Sequence, residues 1–349
     1  MKIGILTYHD AVNYGAVLQA YALQKVLESM DADTVILDYS KPARPQPLKT
    51  KISAVLKFPV HNKTSREFAR FRSSYLTLTA PITGHKQLTD EISKTDAVIV
   101  GSDQVFNPRL NCADPAYFLN LPVSEKTKKY SYAASFGRYD FTPEEETLIS
   151  SLEDFDAVSV RETEGISAAR RFTGCPVKKC LDPVLLLAAS QWKSCADISL
   201  SSSYPEYVLL YLVGMHDQMI YETARLTAQK YGCPVLWISD STKIKKGIHV
   251  LHSCSPQQFI GLMMGAKAIV TNSFHATAFS VIFRRPYDVD IENAGLKHNN
   301  RSEDLLLSLK LPLKCTDSEP DWDNAHLALD EQRRHSLDYL QDICKRRLP

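Results

Sequence analysis

Glycine is scarce in this chain, and no glycine-rich loop is present. Only 13 of the 349 residues are glycine, and none form the G-x-G-x-x-G pattern that holds the pyrophosphate of a dinucleotide. Asp38 ends the second predicted strand, where a dinucleotide-binding fold would hold a ribose, but without the loop this signal is weak. We therefore expect no cofactor of this kind.

The chain also lacks an excess of charge of either sign. Its 41 basic and 40 acidic residues give a formal net charge of +1 at pH 7. Proteins that bind nucleic acids through the phosphates carry a strong positive excess. The balance argues against bulk nucleic-acid binding.

Cysteine clusters and long apolar runs are absent as well. The eight cysteines form no C-x-x-C pair and no Cys/His cluster with zinc spacing, so we expect reduced thiols and no metal ion. No apolar run approaches the roughly 18 residues of a membrane span, and Met1 leads directly into an apolar strand rather than into a secretory signal. These features predict a cytoplasmic protein.

What the sequence does contain is a repeated strand–helix pattern. Short runs rich in Val, Ile and Leu alternate with amphipathic segments of helical period, as is typical of β-α units around a parallel sheet. The expected strands are 2–7, 34–39, 97–101, 129–133, 157–160 and one near Val177, followed by 207–212, 235–238, 249–251, 268–271 and 287–289.

The length of the chain predicts two domains, because single hydrophobic cores usually stop growing below this size. The polar stretch 199–205 separates the two series of strands and has the composition of a linker. We expect Rossmann-like domains over 1–198 and 206–325 and a C-terminal helix over 326–349. Two such α/β domains facing a cleft would resemble the GT-B arrangement of glycosyltransferases, with ligands at the carboxyl ends of the strands.

The first candidate motif, 8–16, joins the first strand to a helix. Asn13 is a good N-cap, Gly15 allows a close approach to the backbone, and a helix N-terminus favours an anion. Asn13, Tyr14 and Gly15 are therefore candidate substrate-binding residues. A tight strand-to-helix turn without a ligand explains the same residues equally well.

The second motif, 98–108, is an apolar strand that opens into polar residues. Ser102, Asp103, Gln104 and Asn107 can all hydrogen-bond sugar hydroxyls, and Asp103 could also act as a base. Several of these residue types are also common in turns that bind no ligand. Four hydrogen-bonding side chains within six positions at a strand end nevertheless favour a binding site.

The third motif, 158–162, places Arg161 at the end of a strand, where a guanidinium can hold a carboxylate or a phosphate through two parallel hydrogen bonds. The alternative is an ion pair with Glu162 or Glu164, which on a surface would be weak.

The fourth motif, 269–279, is again a strand, a polar turn and the start of a helix. A lone histidine is more often structural than catalytic. His275, however, follows Asn272 and Ser273 at a predicted strand end, where an imidazole can meet an anion.

Taken in order, these motifs resemble the polysaccharide pyruvyl transferase family. The segments that carry the resemblance are N-Y-G-A at 13–16, G-S-D-Q at 101–104, S-V-R-E at 159–162 and S-F-H-A at 273–276. Asn299, Arg301, Leu305 and Leu306 add a later pattern similar to that of the family. The resemblance covers about residues 1 to 310.

The resemblance implies a fold like that of two-domain glycosyltransferases, phosphoenolpyruvate as donor and co-substrate, and a saccharide as acceptor. It implies a role in the biosynthesis of exopolysaccharide, capsule or another cell-surface glycan, with the acceptor on the N-terminal domain and the donor on the C-terminal domain. His275 and Arg161 match family positions that engage the donor. Many members have arginine where this chain has Ser273, and Arg284, Arg285 and Arg301 are the candidates for the missing charge.

The implied chemistry assigns a role to each catalytic candidate. Ketal formation requires a proton on the methylene carbon of the enol, attack by a sugar hydroxyl, loss of phosphate and closure by a second hydroxyl. Protonated His275 is the candidate acid, Asp103 could accept a proton from the acceptor, and Arg161 would help to neutralise the donor. Two alternatives remain, a glycosyltransferase that uses a nucleotide sugar and a non-catalytic saccharide-binding protein.

A local charge imbalance suggests where the protein acts. Between Lys41 and Arg72 the chain has nine basic residues and one acid, Glu67, a local net charge of nine minus one, or +8. The segment 46–72 could lie on anionic lipid headgroups at the inner face of the membrane and reach a lipid-diphosphate-linked acceptor. A solvated basic face, or a loop that contacts the phosphates of the acceptor, would have the same composition.

Overall fold

The computed structural model describes residues 1–40, 48–214, 216–241, 245–291 and 301–347, and for residues 48–61 it describes the backbone alone. In chain order the strands are β1 (Lys2–Leu6), β2 (Asp33–Ile36), β3 (Ala97–Val100), β4 (Lys128–Ser131), β5 (Val158–Val160), β6 (Val177–Lys179), β7 (Val208–Tyr211), β8 (Val235–Ile238), β9 (Ile248–Leu251), β10 (Ala268–Thr271) and β11 (Tyr287–Val289). The helices are α1 (Tyr14–Glu28), α2 (Leu48–Tyr75), α3 (His85–Ile92), α4 (Pro143–Ile149), α5 (Thr163–Ala169), α6 (Ala189–Cys195), α7 (Met219–Tyr231), α8 (Pro256–Gly265), α9 (Phe274–Ile282), α10 (Arg301–Ser308) and α11 (Trp322–Cys344). Short 3-10 helices lie at Pro115–Phe118, Ser150–Asp154, Pro183–Leu185 and Ser201–Ser203.

The chain divides into two compact units. The first unit comprises Met1–Arg44, Arg72–Leu186 and Asp330–Pro349, and the second unit comprises Pro45–Phe71 and Leu187–Leu329. Neither unit is a single stretch of sequence, so the expected domains 1–198, 206–325 and 326–349 differ from this division. The reason is that α2 and α11 both run across the points at which the chain passes from one unit to the other.

The expected linker at 199–205 lies inside the second unit. It contains the 3-10 helix Ser201–Ser203, which packs on α8. Just before it, the backbone approaches α8 so closely that a Cβ added at Gly261 would lie 2.2 Å from the carbonyl oxygen of Asp197. The serine hydroxyls here bond carbonyl groups of the same turn, as Ser201 Oγ does to Ile198 O at 3.1 Å. A serine run in a tight 3-10 turn therefore has the same composition as a linker.

The first unit is built on a parallel sheet with the order β2-β1-β3-β4, and the parallel pair β5-β6 continues beside β4. All four residues of β3 are buried, because parallel strands are covered on both faces. The core around this sheet includes a cluster of aromatic side chains from residues that follow the strands. In this cluster Phe106 stacks on Phe118, with ring centroids 5.6 Å apart.

Two serine side chains replace part of the backbone ladder between β4 and β5. Ser159 N donates to Ser131 Oγ at 2.9 Å, and Ala133 N donates to Ser159 Oγ at 2.9 Å. Beyond this interruption the backbones meet again, where Arg161 N donates to Ala134 O at 3.2 Å. The residues that follow β4 and β5 are therefore held next to one another.

The second unit has a five-stranded parallel sheet with the order β11-β10-β7-β8-β9. The four residues of β7, β8 and β10 are all buried, and α7 packs against β7 and β10. Helix α9 follows β10 directly and is buried over its whole length, which is the pattern of a helix inside a core.

Most expected strands are present with shifted ends, and three of them, β8, β10 and β11, have the expected bounds. Strand β2 ends at Ile36 rather than Tyr39. Leu37 N still donates to Ile5 O at 2.9 Å, but from Asp38 onward the partner changes, since Ile82 N donates to Asp38 O at 2.8 Å and Asp38 N donates to Thr79 Oγ1 at 2.9 Å. An apolar run cannot show that its second half pairs outside the sheet.

The last helix packs on the first unit through its C-terminal half. Tyr339 Oη donates to Ser131 O at 3.0 Å, and Ser336 Oγ accepts from Leu181 N at 2.9 Å. The expected C-terminal helix is present but begins earlier, at Trp322. Among the described residues, no helix combines the length and the apolar composition that a membrane crossing requires.

Candidate active site

The first unit carries a polar cluster at the carboxyl ends of β3, β5 and β6. At its centre Asp182 Oδ2 accepts from Arg161 Nη1 at 2.7 Å and lies 2.9 Å from Ser102 Oγ. Arg161 Nε also donates to Glu162 Oε1 at 3.1 Å. All four residues are at least 95% buried. This set, Ser102, Arg161, Glu162 and Asp182, is called the strand-end ion cluster below.

Arg161 therefore forms an ion pair with Glu162, as the alternative interpretation of its motif proposed, but in a buried rather than a surface setting. The guanidinium is 4% exposed and already carries two carboxylates. Burial alone would lower the pKa of Arg161, but the carboxylates of Glu162 and Asp182 outweigh it and raise the pKa above its ordinary value. The charge of Arg161 is thus balanced mainly by these two buried carboxylates.

Asp103 stands beside this cluster and is partly exposed. Its backbone is in the left-handed region, with φ of 75°, which costs a non-glycine residue roughly 1 kcal/mol. Asp103 Oδ1 accepts from Gln104 N at 2.8 Å, and Asp103 O accepts from Ser135 N at 2.9 Å. Its carboxylate lies close enough to Arg161 to raise the pKa of that guanidinium further. The turn thus holds an accessible carboxylate at the strand end.

The remaining candidates of the second motif bond to each other or to the protein. Asn107 Nδ2 donates to Gln104 Oε1 at 3.0 Å, and Arg109 N donates to Asn107 Oδ1 at 3.2 Å. Gly137, with φ of 68°, allows this packing, since a Cβ there would lie 2.0 Å from Gln104 Oε1. Ser102 is fully buried. Direct sugar contacts by Ser102 and Asn107 are therefore not supported, whereas Gln104 remains partly exposed.

The first motif forms the turn that its sequence predicts. Asn13 is exposed and caps α1, with its Oδ1 accepting from Ala16 N at 3.2 Å. Tyr14 and Gly15 are buried in the first turn of the helix. This arrangement fits the structural alternative for all three residues and leaves only Asn13 accessible to a ligand.

The sequence did not point to two of the polar groups at this edge. Asp182 has only the signal of an Asp-Pro pair, which starts the 3-10 helix Pro183–Leu185. His9 is fully buried, with Nε2 2.8 Å from Asp38 Oδ1 and Nδ1 3.1 Å from Thr7 O. The hydrogen bond from His9 lowers the pKa of Asp38. Asp38, expected to matter only for a dinucleotide, instead holds His9.

In the second unit the carboxyl end of β10 carries hydroxyl and amide groups rather than ions. Asn272 is used inside the protein, because its Oδ1 accepts from Val213 N at 2.8 Å and its Nδ2 donates to Val213 O at 2.9 Å. Ser273 is the N-cap of α9, with Oγ accepting from Ala276 N at 3.4 Å. Both residues are 4% exposed, so they shape the turn more than they present groups to a ligand.

His275 lies in the first turn of α9 and is 8% exposed. Its ring packs edge-on against Phe274, with ring centroids 5.2 Å apart. A helix N-terminus attracts anions through its backbone N–H groups and its dipole. The structure thus places His275 where the sequence predicted it, at a strand end next to a potential anion site.

The structure separates the three arginines that were candidates for the missing charge. Arg284 follows the last turn of α9, nine residues after His275, which corresponds to about 14 Å along the helix. Arg285 precedes β11. Its charge is close enough to influence the pKa values of Tyr207 and Lys267, the residues just before β7 and β10. Both therefore lie at the amino edge of the sheet, away from His275, and are poor candidates.

Arg301 is better placed. It is the first residue of α10, which packs on α9. The next residue, Ser302, has its Oγ 3.4 Å from Thr277 Oγ1, and Thr277 in turn donates to Ser273 O at 3.0 Å. The start of α10 is thus close to the first turn of α9. Asn299, which the resemblance paired with Arg301, lies outside the described residues.

The second unit also has a cavity of about 340 Å³ between α7 and residues 313–314, floored by Val270 and Asp288. Burial raises the pKa of Asp288, although Lys314, 3.6 Å away, acts in the opposite direction. None of the residues predicted from the sequence lines it.

Two further predictions concern metals and charge. Among the residues that the structure describes, no three His, Cys, Asp or Glu side chains come together as metal ligands would. All eight cysteines are free thiols. Of the basic segment 46–72, residues 46–47 and the side chains of 48–61, including Lys49, Lys51 and Lys57, lie outside the described part, and so does the nearby Lys41.

Comparison with known families gives a match that covers parts of both units. The family model described as polysaccharide pyruvyl transferase matches residues 13–286, a range that contains Asp103, Arg161 and His275. No curated protein matches the chain in sequence.

Solved structures are similar in fold across nearly the whole chain. A putative UDP-N-acetylglucosamine 2-epimerase from Listeria monocytogenes has a TM-score of 0.55 at 10% identity, over 98% of this chain and 90% of that one. The UDP-GlcNAc 2-epimerase from Methanocaldococcus jannaschii has a TM-score of 0.53 at 13% identity, over 95% and 92%. MnaA of S. aureus, solved with UDP, has a TM-score of 0.53 at 12% identity, over 96% and 90%. At these identities the likeness concerns the fold alone, and it confirms two Rossmann-like α/β domains.

Proposed function

The chain belongs to the polysaccharide pyruvyl transferase family, and on that basis we propose that it transfers the pyruvyl group of phosphoenolpyruvate to a saccharide as a ketal. The match over residues 13–286 carries this proposal. The family makes the protein a transferase with a saccharide acceptor. The donor, the linkage and the role in exopolysaccharide, capsule or cell-surface glycan synthesis are parts of the proposal.

The second unit supplies the groups for the donor in this proposal. His275 protonates the methylene carbon of phosphoenolpyruvate, which leaves an oxocarbenium-like carbon that a hydroxyl can attack. Its place at the start of α9 supports this role, because the helix N-terminus favours the phosphate and the carboxylate of the donor. Arg301 supplies the charge that an arginine at position 273 provides in many relatives, since α10 begins beside the first turn of α9.

The first unit supplies the groups for the acceptor. Asp103 takes the proton of the attacking hydroxyl, and Gln104 and Asn13 bind other hydroxyls, because these are the accessible polar residues among the candidates. Attack forms the first carbon–oxygen bond, departure of phosphate breaks the bond to the donor oxygen, and the second hydroxyl closes the ketal. Asp103 releases its proton to solvent, His275 takes a proton back from solvent, and the proton of the second hydroxyl leaves with the phosphate.

For Arg161 we propose an indirect role. The sequence assigned it to the donor, but its guanidinium is 4% exposed and carries Asp182 and Glu162. A buried arginine with two carboxylates contributes by fixing its neighbours, including Asp103, more readily than by meeting an anion from solvent.

The location of the acceptor also stays a proposal. A lipid-diphosphate-linked saccharide at the inner face of the membrane would suit the local net charge of +8 between Lys41 and Arg72, nine basic residues minus one acid. Sedimentation with anionic and neutral liposomes at low salt tests this, with a Lys49→Glu, Lys51→Glu, Lys57→Glu variant as control. We expect the wild type alone to pellet with anionic liposomes, and equal recovery of both proteins in the supernatant would exclude docking through 46–72.

Turnover separates the proposed function from its alternatives. The protein is incubated with phosphoenolpyruvate and a panel of reducing-end-tagged and lipid-linked glycans, and in parallel with sugar nucleotides. We expect glycan-dependent release of inorganic phosphate and a glycan that gains one ketal-linked pyruvate. Release of a nucleoside diphosphate instead would indicate a glycosyltransferase, and glycan binding without any turnover would indicate a binding protein.

A further inference from the structure

Asp182 connects three strand ends of the first unit, although no sequence motif drew attention to it. Its Oδ2 accepts from Arg161 Nη1 at 2.7 Å and lies 2.9 Å from Ser102 Oγ, and its Oδ1 accepts from Val184 N at 3.1 Å. These partners follow β5, follow β3 and begin the 3-10 helix Pro183–Leu185. The side chain of Asp182 is 0% exposed, so no solvent competes for these bonds.

The backbone next to these contacts leads directly to Asp103. Ser102 precedes Asp103, whose φ of 75° needs support from its surroundings. On the other side, Arg161 N donates to Ala134 O, and Ala134 forms a bridge with Asp103. Asp182 thus holds both neighbours of Asp103, Ser102 along the chain and Arg161 across β4.

We propose that Asp182 is a positioning residue for the transfer reaction, holding Ser102 and Arg161 so that the Asp103 carboxylate stays where the acceptor hydroxyl must lie. The inference rests on the proposed function for its kinetic consequence and on the contacts alone for its structural consequence. A shift of about 1 Å in a reacting group can lower the rate by about a hundredfold. A buried carboxylate can therefore matter without touching the substrate.

The chain contains a matched control for a merely structural effect. Asp114 is also buried and also precedes a proline that begins a 3-10 helix, Pro115–Phe118. It accepts from Tyr39 Oη at 2.6 Å, from His85 Nε2 at 2.9 Å and from Ala116 N at 3.0 Å. Asp114 and Asp182 thus share a buried setting and the same local structure, but Asp182 binds Ser102 and Arg161, whereas Asp114 binds Tyr39 and His85.

The kinetic test compares Asp182→Asn with Asp114→Asn on the glycan that the wild type modifies. We expect both to lower the melting temperature, because each leaves buried donors without their charged acceptor. Asp182→Asn should lower kcat by roughly 10- to 100-fold with the KM for phosphoenolpyruvate within about twofold of wild type. Asp114→Asn should keep kcat within about threefold. Equal losses of kcat in the two variants, or an unchanged kcat in Asp182→Asn, would overturn the proposal.

Ser102→Ala is a milder second variant in case Asp182→Asn does not fold. It removes one contact of Asp182 and leaves Arg161 paired. We expect a loss of several-fold in kcat, again with an unchanged KM for phosphoenolpyruvate. An unchanged kcat in Ser102→Ala would contradict the role of Asp182.

The crystal structures of Asp182→Asn and Asp114→Asn, or of Ser102→Ala if the first does not fold, test the structural half without turnover. We expect Asp103 and Arg161 to move by about 1 Å or more in Asp182→Asn, or Asp103 to move in Ser102→Ala, and to stay in place in Asp114→Asn. Unchanged positions would refute the inference even where the transferase activity is established. If instead no glycan is modified by the wild type, the proposed function fails, and the structures still decide whether Asp182 holds Asp103.

Discussion

The two Rossmann-like units place different chemistry at the same point of the fold. After β3, β5 and β6, the first unit has one guanidinium among the carboxylates of Asp103, Glu162 and Asp182. After β10, the second unit has hydroxyl and amide groups, a helix N-terminus and His275. One end is thus rich in negative charge and the other is suited to an anion. In our proposal the first unit binds the acceptor and the second unit binds the donor, and they are called the acceptor half and the donor half below.

This contrast explains why an anionic donor belongs to the second unit in our account. The strand-end ion cluster has one guanidinium, that of Arg161, and two carboxylates, those of Glu162 and Asp182, so its negative charges already exceed its positive ones. A donor with about three negative charges would be repelled there, whereas hydroxyl groups would be good partners for Asp103.

The largest effect should follow from removing the acid of the donor half. His275→Ala should lower kcat by roughly a hundredfold to ten-thousandfold, because a positioned general acid contributes that much, while circular dichroism shows an intact fold. His252→Ala is the matched control, since His252 follows β9 in the same sheet and is exposed. A His275→Ala variant with near wild-type transfer would remove the histidine from the mechanism.

The corresponding change in the acceptor half is Asp103→Asn. It keeps the turn and removes the base, so kcat should fall on the order of a hundredfold with little change in the KM for phosphoenolpyruvate. Asp96→Asn, at the amino end of the same strand β3, should stay within about threefold. If the variant instead raised the donor KM and kept kcat, the division into halves would be incorrect.

How much of this division the sequence could predict depends on the range of the interaction. The strands and the strand-end positions of Asp103, Arg161 and His275 were predictable, because they rest on local apolar runs followed by polar residues. The pairing of Arg161 with Asp182 was not, since it joins residues 21 apart through the packing of the sheet. The Asp-Pro signal of Asp182 occurs equally at Asp114, which binds Tyr39 and His85 rather than Ser102 and Arg161.

The expected domain boundary differs from the division into two compact units for a related reason. The stretch 199–205 has the composition of a linker, but its place inside the second unit is set by contacts with α8 that no local pattern reveals. Likewise, only the structure shows that Arg285 lies at the edge of the sheet opposite His275.

The pairing of Arg161 with Asp182 in the strand-end ion cluster predicts an effect on kcat of intermediate size. Arg161→Gln and Asp182→Asn should each lower kcat by roughly 10- to 100-fold, and the double variant should be no worse than the poorer single variant. The reason is that each single change leaves a buried partner without its charge, whereas the double change removes both. Additive losses in this double-mutant cycle would mean that the two residues act separately.

The smallest effect concerns donor binding in the second unit. Arg301→Gln should raise the KM for phosphoenolpyruvate by about tenfold, the equivalent of about 1.4 kcal/mol, with a smaller change in kcat. Arg284→Gln should leave both constants unchanged, because its ion pair with Asp323 is exposed and far from His275. Equal effects of the two changes would mean that Arg301 does not supply the missing positive charge and that another residue must do so.

The most direct measurement of the central claim is the isotope content of the product formed in heavy water. If His275 protonates the methylene carbon of phosphoenolpyruvate, turnover in D₂O with the accepting glycan should give a ketal whose methyl group carries one deuterium from the solvent, visible by mass spectrometry and by proton NMR. A pyruvylated glycan without solvent deuterium would contradict carbon protonation by an exchangeable acid. A glycan that gains a hexose from a sugar nucleotide, and nothing from phosphoenolpyruvate, would contradict the proposed function itself.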